Sequence, residues 1–272
     1  MTPLARLGAR VGALGTNLCL GLDPHPDRLP DGAGDGLQGV ERFARGILEA
    51  AAPSVVAVKV NVAFFEAFGS AGLQALERLR GDVPETHLLV LDAKRGDIGT
   101  TAERYAEALF GRLNADAVTL SPYLGADAIE PFLAHPDRVV YVLARTSNPS
   151  AGDLQGLRIG DAPLHERVAS WVADRWPEPR VGLVVGATAP DELRRIRALV
   201  PGPAFLVPGV GAQGGDLAAA AAACNGSMAP GLVSISRGIA EASRGADWAA
   251  AAASAGRMWA DRLREASATL AV

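Results

Sequence analysis

Short apolar runs recur along this chain, and each is followed by a longer stretch in which apolar residues return every three or four positions. The runs are 17–23 (NLCLGLD), 55–60 (VVAVKV), 87–94 (HLLVLDAK), 116–121 (DAVTLS), 138–144 (RVVYVLA), 180–186 (RVGLVVG), 204–209 (AFLVPG) and 231–236 (GLVSIS). Runs this short, rich in Val, Ile and Leu and closed by Gly, Pro, Asp or Ser, predict strands buried on both faces. Helical spacing fills the intervals, as in 40–51 (VERFARGILEAA), 64–80 (FFEAFGSAGLQALERLR) and 189–200 (APDELRRIRALV). Pro190 and Asp191 suit the first turn of the last of these. The alanine run near 218 predicts one more short helix. Eight strand–helix units in 272 residues, with no linker and no break in composition, predict an α/β chain folded as a single (β/α)8 TIM barrel over 1–272. A doubly wound sheet is the competing arrangement.

Composition narrows the picture. Twenty-six basic against thirty acidic residues leave a formal charge of −4, which speaks against a nucleic-acid or anionic-membrane partner. Arg6 and Arg10 interrupt the N-terminal segment before an apolar core forms, so no signal peptide is expected. No run approaches the length of a membrane span. Cys19 and Cys224 offer neither a disulfide framework nor metal-ligand spacing, and a cytoplasmic setting is expected. The segment 145–163 (RTSNPSAGDLQGLRIGDAP) follows the fifth run, and its length and its glycines suit either a lid over a site or a surface excursion.

Charge sits where the strands should end. The third run passes into LDAKRGDIGTTA, with Asp92, Lys94, Arg95 and Asp97 directly after HLLV. Burying such charges unpaired is costly, so they are solvated, mutually neutralised or kept for chemistry. Residues two apart share a strand face, so Asp92 and Lys94 point together, and Lys59 ends the second strand as Lys94 ends the third. Neighbouring parallel strands would gather Lys59, Asp92 and Lys94 at the C-terminal rim, where barrel active sites lie. Asp23 closes the first run and reads either as a ligand for a sugar hydroxyl or as part of a strand-ending turn with Pro24. After the seventh run, Gly209, Gly211 and Gly214 spell G-x-G-x-x-G, but no acidic residue follows at the distance a dinucleotide ribose requires. With an Arg237–Gly238 pair after the eighth run, these glycines fit a barrel phosphate site, with Gln213 and Arg237 as side-chain donors, or else a glycine-rich turn beside a surface arginine. His25, His87, His135 and His165 lack ligand spacing and read as packing or surface residues. Ser121 and Ser234 lack a His–Asp partner pattern.

Taken together, GLDPH, VKVNVAFFEAFG, LDAKRGDIGTTA, TSNPSAGDLQ and VPGVGAQGGD…SISRGI resemble, in order, the blocks of the orotidine 5′-phosphate decarboxylase family in its longer bacterial subgroup. The resemblance spans residues 17–240, and its core is the D-x-K-x-x-D signature at Asp92, Lys94 and Asp97. It implies a dimeric barrel, free of cofactor and metal, that converts orotidine 5′-monophosphate to UMP and carbon dioxide. By the same resemblance Lys59, Asp92 and Lys94 form a charged line beside the substrate, with Lys94 as proton donor. Asp97, followed by Ile98 and Thr101, is implied to enter the partner's site, so that the homodimer shares its active sites. Asp23 is implied to bind the ribose, Ser147 the pyrimidine, and Gln213, Arg237, Gly211 and Gly238 the phosphate end. Asn61 and Ser150 depart from the subgroup's pattern; the first bears on nothing catalytic, the second on the lid. Two alternatives stand beside this reading. One is a metal-dependent sugar-phosphate decarboxylase or aldolase on a similar barrel, and the other is a catalytically silent nucleotide-binding protein.

Overall fold

The structure, a computed structural model, describes residues 1–269. Eight parallel strands close into a barrel: β1 (Leu18–Leu22), β2 (Ala57–Asn61), β3 (Leu88–Arg95), β4 (Ala117–Leu120), β5 (Val139–Arg145), β6 (Val181–Val185), β7 (Phe205–Pro208) and β8 (Leu232–Ile235). Each strand pairs with the next in sequence, and β8 returns to β1. The chain is therefore a (β/α)8 barrel, and the doubly wound alternative is set aside. The expected unit runs to residue 272, and residues 270–272 lie outside the described residues. No helix among the described residues is long and apolar enough to cross a membrane.

Strand alternation builds two cores. Leu18, Leu20, Val58, Val60, Leu89, Leu91, Val118, Val140, Leu183 and Val233 point outward and pack under the helices. Cys19, Ala57, Leu88, Val90, Ala117, Tyr141, Val184, Leu206 and Leu232 point inward and fill the lower barrel. The next inward layer is polar, with Lys59 on β2, Asp92 on β3, Thr119 on β4 and Ser234 on β8. Apolar below and polar above, the same alternation thus supplies both the packing and the floor of a site. The helix Pro3–Leu14, α1, closes the lower end, with Leu7 fully buried in the inner core and Leu4, Val11 and Leu14 packed against it. Arg10 fastens α1 by donating to the carbonyls of Val55 and Ala52, both at 2.7 Å.

Two stretches differ from the sequence expectation. The helix expected over 64–80 is two helices, Ala63–Glu66 and Gly69–Asp82, because Gly69 adopts φ +61° between them. The long segment after β5 is not a structureless loop. It contains a short helix, Ala151–Gln155, and a small antiparallel hairpin that pairs Arg158–Ile159 with Ala162–Pro163. The Gln155 side chain ties it down, accepting from the Thr146 amide at 2.9 Å and donating to the Thr146 hydroxyl at 2.7 Å.

Candidate active site

A cavity of about 360 Å³ opens at the C-terminal ends of the strands. On one side stand Asp23, Lys59, Asn61, Asp92 and Lys94; on the other, Gly209, Gln213 and Arg237, with Ser147 on the wall that leads to the lid segment. The charged side is one connected unit. Lys59 Nζ donates to Asp92 Oδ2 at 2.8 Å and Lys94 Nζ donates to Asp92 Oδ1 at 2.6 Å. Lys59 Nζ also lies 3.9 Å from Asp23 Oδ1, an oxygen that is buried without a hydrogen-bond partner.

The two lysines differ in exposure. The Lys59 side chain is 8% accessible, whereas that of Lys94 is 48% accessible and reaches the open cavity. Burial alone would pull the Lys59 ammonium down, but Asp23 and Asp92 outweigh it and hold its pKa above the ordinary lysine value. Burial would likewise raise the Asp92 carboxyl, yet the Lys59 and Lys94 ammonium groups outweigh burial and hold it well below the usual carboxylate range. Asp92 is therefore an anion throughout the neutral range, flanked by two cations. In the layer beneath, burial pushes the Cys19 thiol up to about 12, so it stays protonated and takes no part as a nucleophile.

Asp92 and Lys94 come together as the sequence predicts, but not by plain alternation. The β3–β4 register shifts between Leu91 and Arg95, and Lys94 takes a left-handed conformation with φ +46°. A side-chain-bearing residue in that region is strained, and bulges of this kind re-aim side chains beside sites.

Opposite the charges, Gly209, Gly211 and Gly214 have φ of +101°, +82° and +76°, the conformations that explain the glycine spacing. A Cβ on Gly209 would stand 3.1 Å from the Gln213 amide oxygen and 3.2 Å from Ser147. Arg237, at the start of a short helix, is exposed on the rim. Gly211 and Gly238 do not line the cavity. Both face Trp259, whose indole Nε1 donates to the Gly238 carbonyl at 3.1 Å and so holds the loops after β7 and β8 together.

Asp97, Ile98 and Thr101 lie outside their own chain's cavity. Ile98 is 52% accessible and Thr101 is exposed, while the Asp97 carboxylate accepts from the Ile98 amide at 2.8 Å. The histidines were expected to pack or lie at the surface: His87 is buried and bonds the Ala52 carbonyl at 2.9 Å, and His25 lies edge-on to Phe64. Among the described residues no three His, Cys, Asp or Glu side chains gather as a metal donor set. Sequence reasoning missed Thr119, Asn61, Asn148 and Ser236, which also line the cavity. Thr119 had a signal, since it is a polar residue at an inward-facing, rim-proximal position of an apolar strand.

Cations fixed by a buried carboxylate on one wall, and a glycine-rich loop beside Arg237 on the other, define a (β/α)8-barrel enzyme with its site at the C-terminal rim. Residues 16–256 match the model of the orotidine 5′-phosphate decarboxylase / HUMPS family, and the chain belongs to that family. It is 51% identical over 254 residues to the orotidine 5′-phosphate decarboxylase of Roseiflexus castenholzii, covering 92% of this chain and 93% of that one. Among solved structures, the OMP decarboxylase of Leishmania donovani superposes with a TM-score of 0.83 at 39% identity, covering 97% of this chain and 99% of the other. A Toxoplasma gondii structure described as a putative orotidine-monophosphate decarboxylase gives 0.86 at 36% identity, over 99% and 98%.

Proposed function

We propose that the chain decarboxylates orotidine 5′-monophosphate to UMP and carbon dioxide, the step that completes UMP in pyrimidine biosynthesis, with Lys94 as the proton donor. The observation that carries the reading is the Lys59–Asp92–Lys94 array, in which the more exposed ammonium projects into the cavity and the more buried one also bonds the carboxylate. In the reaction the bond from C6 to the carboxylate breaks, carbon dioxide leaves, and the electron pair stays on C6. The Lys94 ammonium stabilises that developing charge and then transfers its proton to C6; water reprotonates the amine. The residues supply the positive charge themselves, so the step calls for no metal or cofactor.

The rest of the cavity suits the rest of the nucleotide. Asp23, which lines the cavity beside Lys59, would accept from a ribose hydroxyl. Ser147 would meet the pyrimidine, and Gln213 with Arg237 the phosphate, whose binding energy can be expressed at the transition state. Gly211 and Gly238 would support that grip through Trp259 rather than touch the phosphate. Asp97, Ile98 and Thr101, exposed and outside their own cavity, would complete the site of a second copy in a homodimer with shared active sites. A cytoplasmic enzyme fits this role. The test is the loss of orotidine monophosphate absorbance with purified protein in excess chelator. Full turnover is expected; activity that appears only on adding a divalent metal would overturn the reading in favour of the metal-dependent alternative.

A further inference from the structure

We propose that Thr119 is a positioning residue for this reaction: its hydroxyl fixes the Asp92 carboxylate and the Lys94 backbone, and so aims the Lys94 ammonium at the reacting carbon. The inference rests on the reading of Lys94 as proton donor.

The register carries the argument. Leu91 pairs with Val118 and Arg95 pairs with Leu120, so Thr119 alone stands opposite Asp92, Ala93 and Lys94. On the β4 side the ladder has no regular partner for these residues, and the Thr119 side chain takes over the bonding there. The Lys94 amide donates to Thr119 Oγ1 at 3.0 Å, and Thr119 Oγ1 donates to Asp92 Oδ1 at 2.9 Å. Neither bond can reverse. An amide nitrogen only donates and an ionised carboxylate only accepts, so the single hydroxyl proton must point at Asp92. Thr119 is 1% accessible, so its hydroxyl is committed to these two partners rather than to solvent.

Two consequences follow for the donor. The same oxygen, Asp92 Oδ1, accepts from Thr119 and from Lys94 Nζ, so the hydroxyl sets where that oxygen sits and hence where the ammonium is held. The amide bond also compensates the left-handed conformation at Lys94, which nothing in an ordinary strand would support. Without the hydroxyl, Lys94 loses a restraint on its main chain, and the carboxylate that holds its ammonium loses one of its own. Placement errors well under the length of a bond are enough to slow an oriented proton transfer.

Thr119→Val keeps the shape and removes the hydroxyl; Thr119→Ser keeps the hydroxyl and removes the methyl. Rates are taken per nucleotide site, titrated with UMP, so that any unfolded fraction drops out. The Val variant is expected to lose kcat by at least about tenfold with KM changed by less than about twofold, because the hydroxyl acts on the donor and not on nucleotide binding. The Ser variant should return to within about threefold of wild type. Thr119→Ala, made in parallel against misfolding of the Val chain, should show the same split. A Val or Ala variant as fast as wild type, a loss carried by KM, or a Ser variant as slow as Val would each overturn the inference. Inactive wild-type protein would instead overturn the decarboxylase reading itself; active wild type beside an unaffected Val variant sinks only the role of Thr119.

Discussion

Two ammonium groups lie 2.8 and 2.6 Å from opposite oxygens of one carboxylate, and Asp23 completes the cluster from β1. Such a group is held together only while every charge has its partner. In the wild-type protein the depressed pKa of Asp92 contributes stability that is fully present above the unfolded value of about 4 and lost as pH falls through the folded value. Lys59→Met keeps the stem and removes the charge. Asp92 is then left with Lys94 alone, and its carboxyl pKa rises in the fold. The variant is expected to lose about 3 kcal/mol at pH 7, and the deficit should shrink at pH 5, where protonation relieves the repulsion. Urea unfolding at both pH values measures it. An equal deficit at the two would assign the loss to packing. At this scale the sequence was readable for residue type and rim position, which brought Lys59, Asp92 and Lys94 together. The left-handed Lys94 and the bond that Thr119 makes to its amide were not legible, because a register shift between two strands leaves no trace in the periodicity of either one.

At the scale of elements, the eight strands fall within about two residues of their apolar runs, since in a parallel barrel both faces are buried and the run and the strand coincide. Other features depended on tertiary context. The apolar face of α1, with Leu4, Leu7, Val11 and Leu14, gives no hint that the helix plugs the barrel, because its partner is assembled only when β8 meets β1. The segment after β5 read as a loop because its helix and hairpin are too short to show a period. Its tip carries Leu154, Leu157 and Ile159 at 46, 54 and 52% accessible, while Gln155 anchors its start to Thr146 and Arg167 bonds the Ile159 carbonyl. Exposed apolar side chains beside an anchored hinge suit closure over a bound nucleotide. Hydrogen exchange over 147–157 is expected to slow by about tenfold or more with saturating UMP. Exchange that UMP leaves unchanged would identify the segment as a surface excursion.

At the scale of the whole molecule, the D-x-K-x-x-D stretch divides its work. Lys94 faces its own cavity, while Asp97, Ile98 and Thr101 do not. In a dimer with shared sites, Lys94→Ala and Asp97→Ala chains are each inactive, yet a mixed dimer holds one site with both residues intact. Random exchange makes about half the dimers mixed, so roughly a quarter of wild-type activity should return. Confirmed exchange with no recovery would place Asp97 in the service of its own chain. Lys94 is tested most directly by one measurement: turnover of orotidine monophosphate by Lys94→Ala, with UMP binding measured on the same preparation. Loss of the donor should cut turnover by at least about a thousandfold while UMP still binds, in keeping with the removal of both a general acid and a charge at the reacting carbon. Turnover within about tenfold of wild type, a barrier change of only about 1.4 kcal/mol, would contradict it.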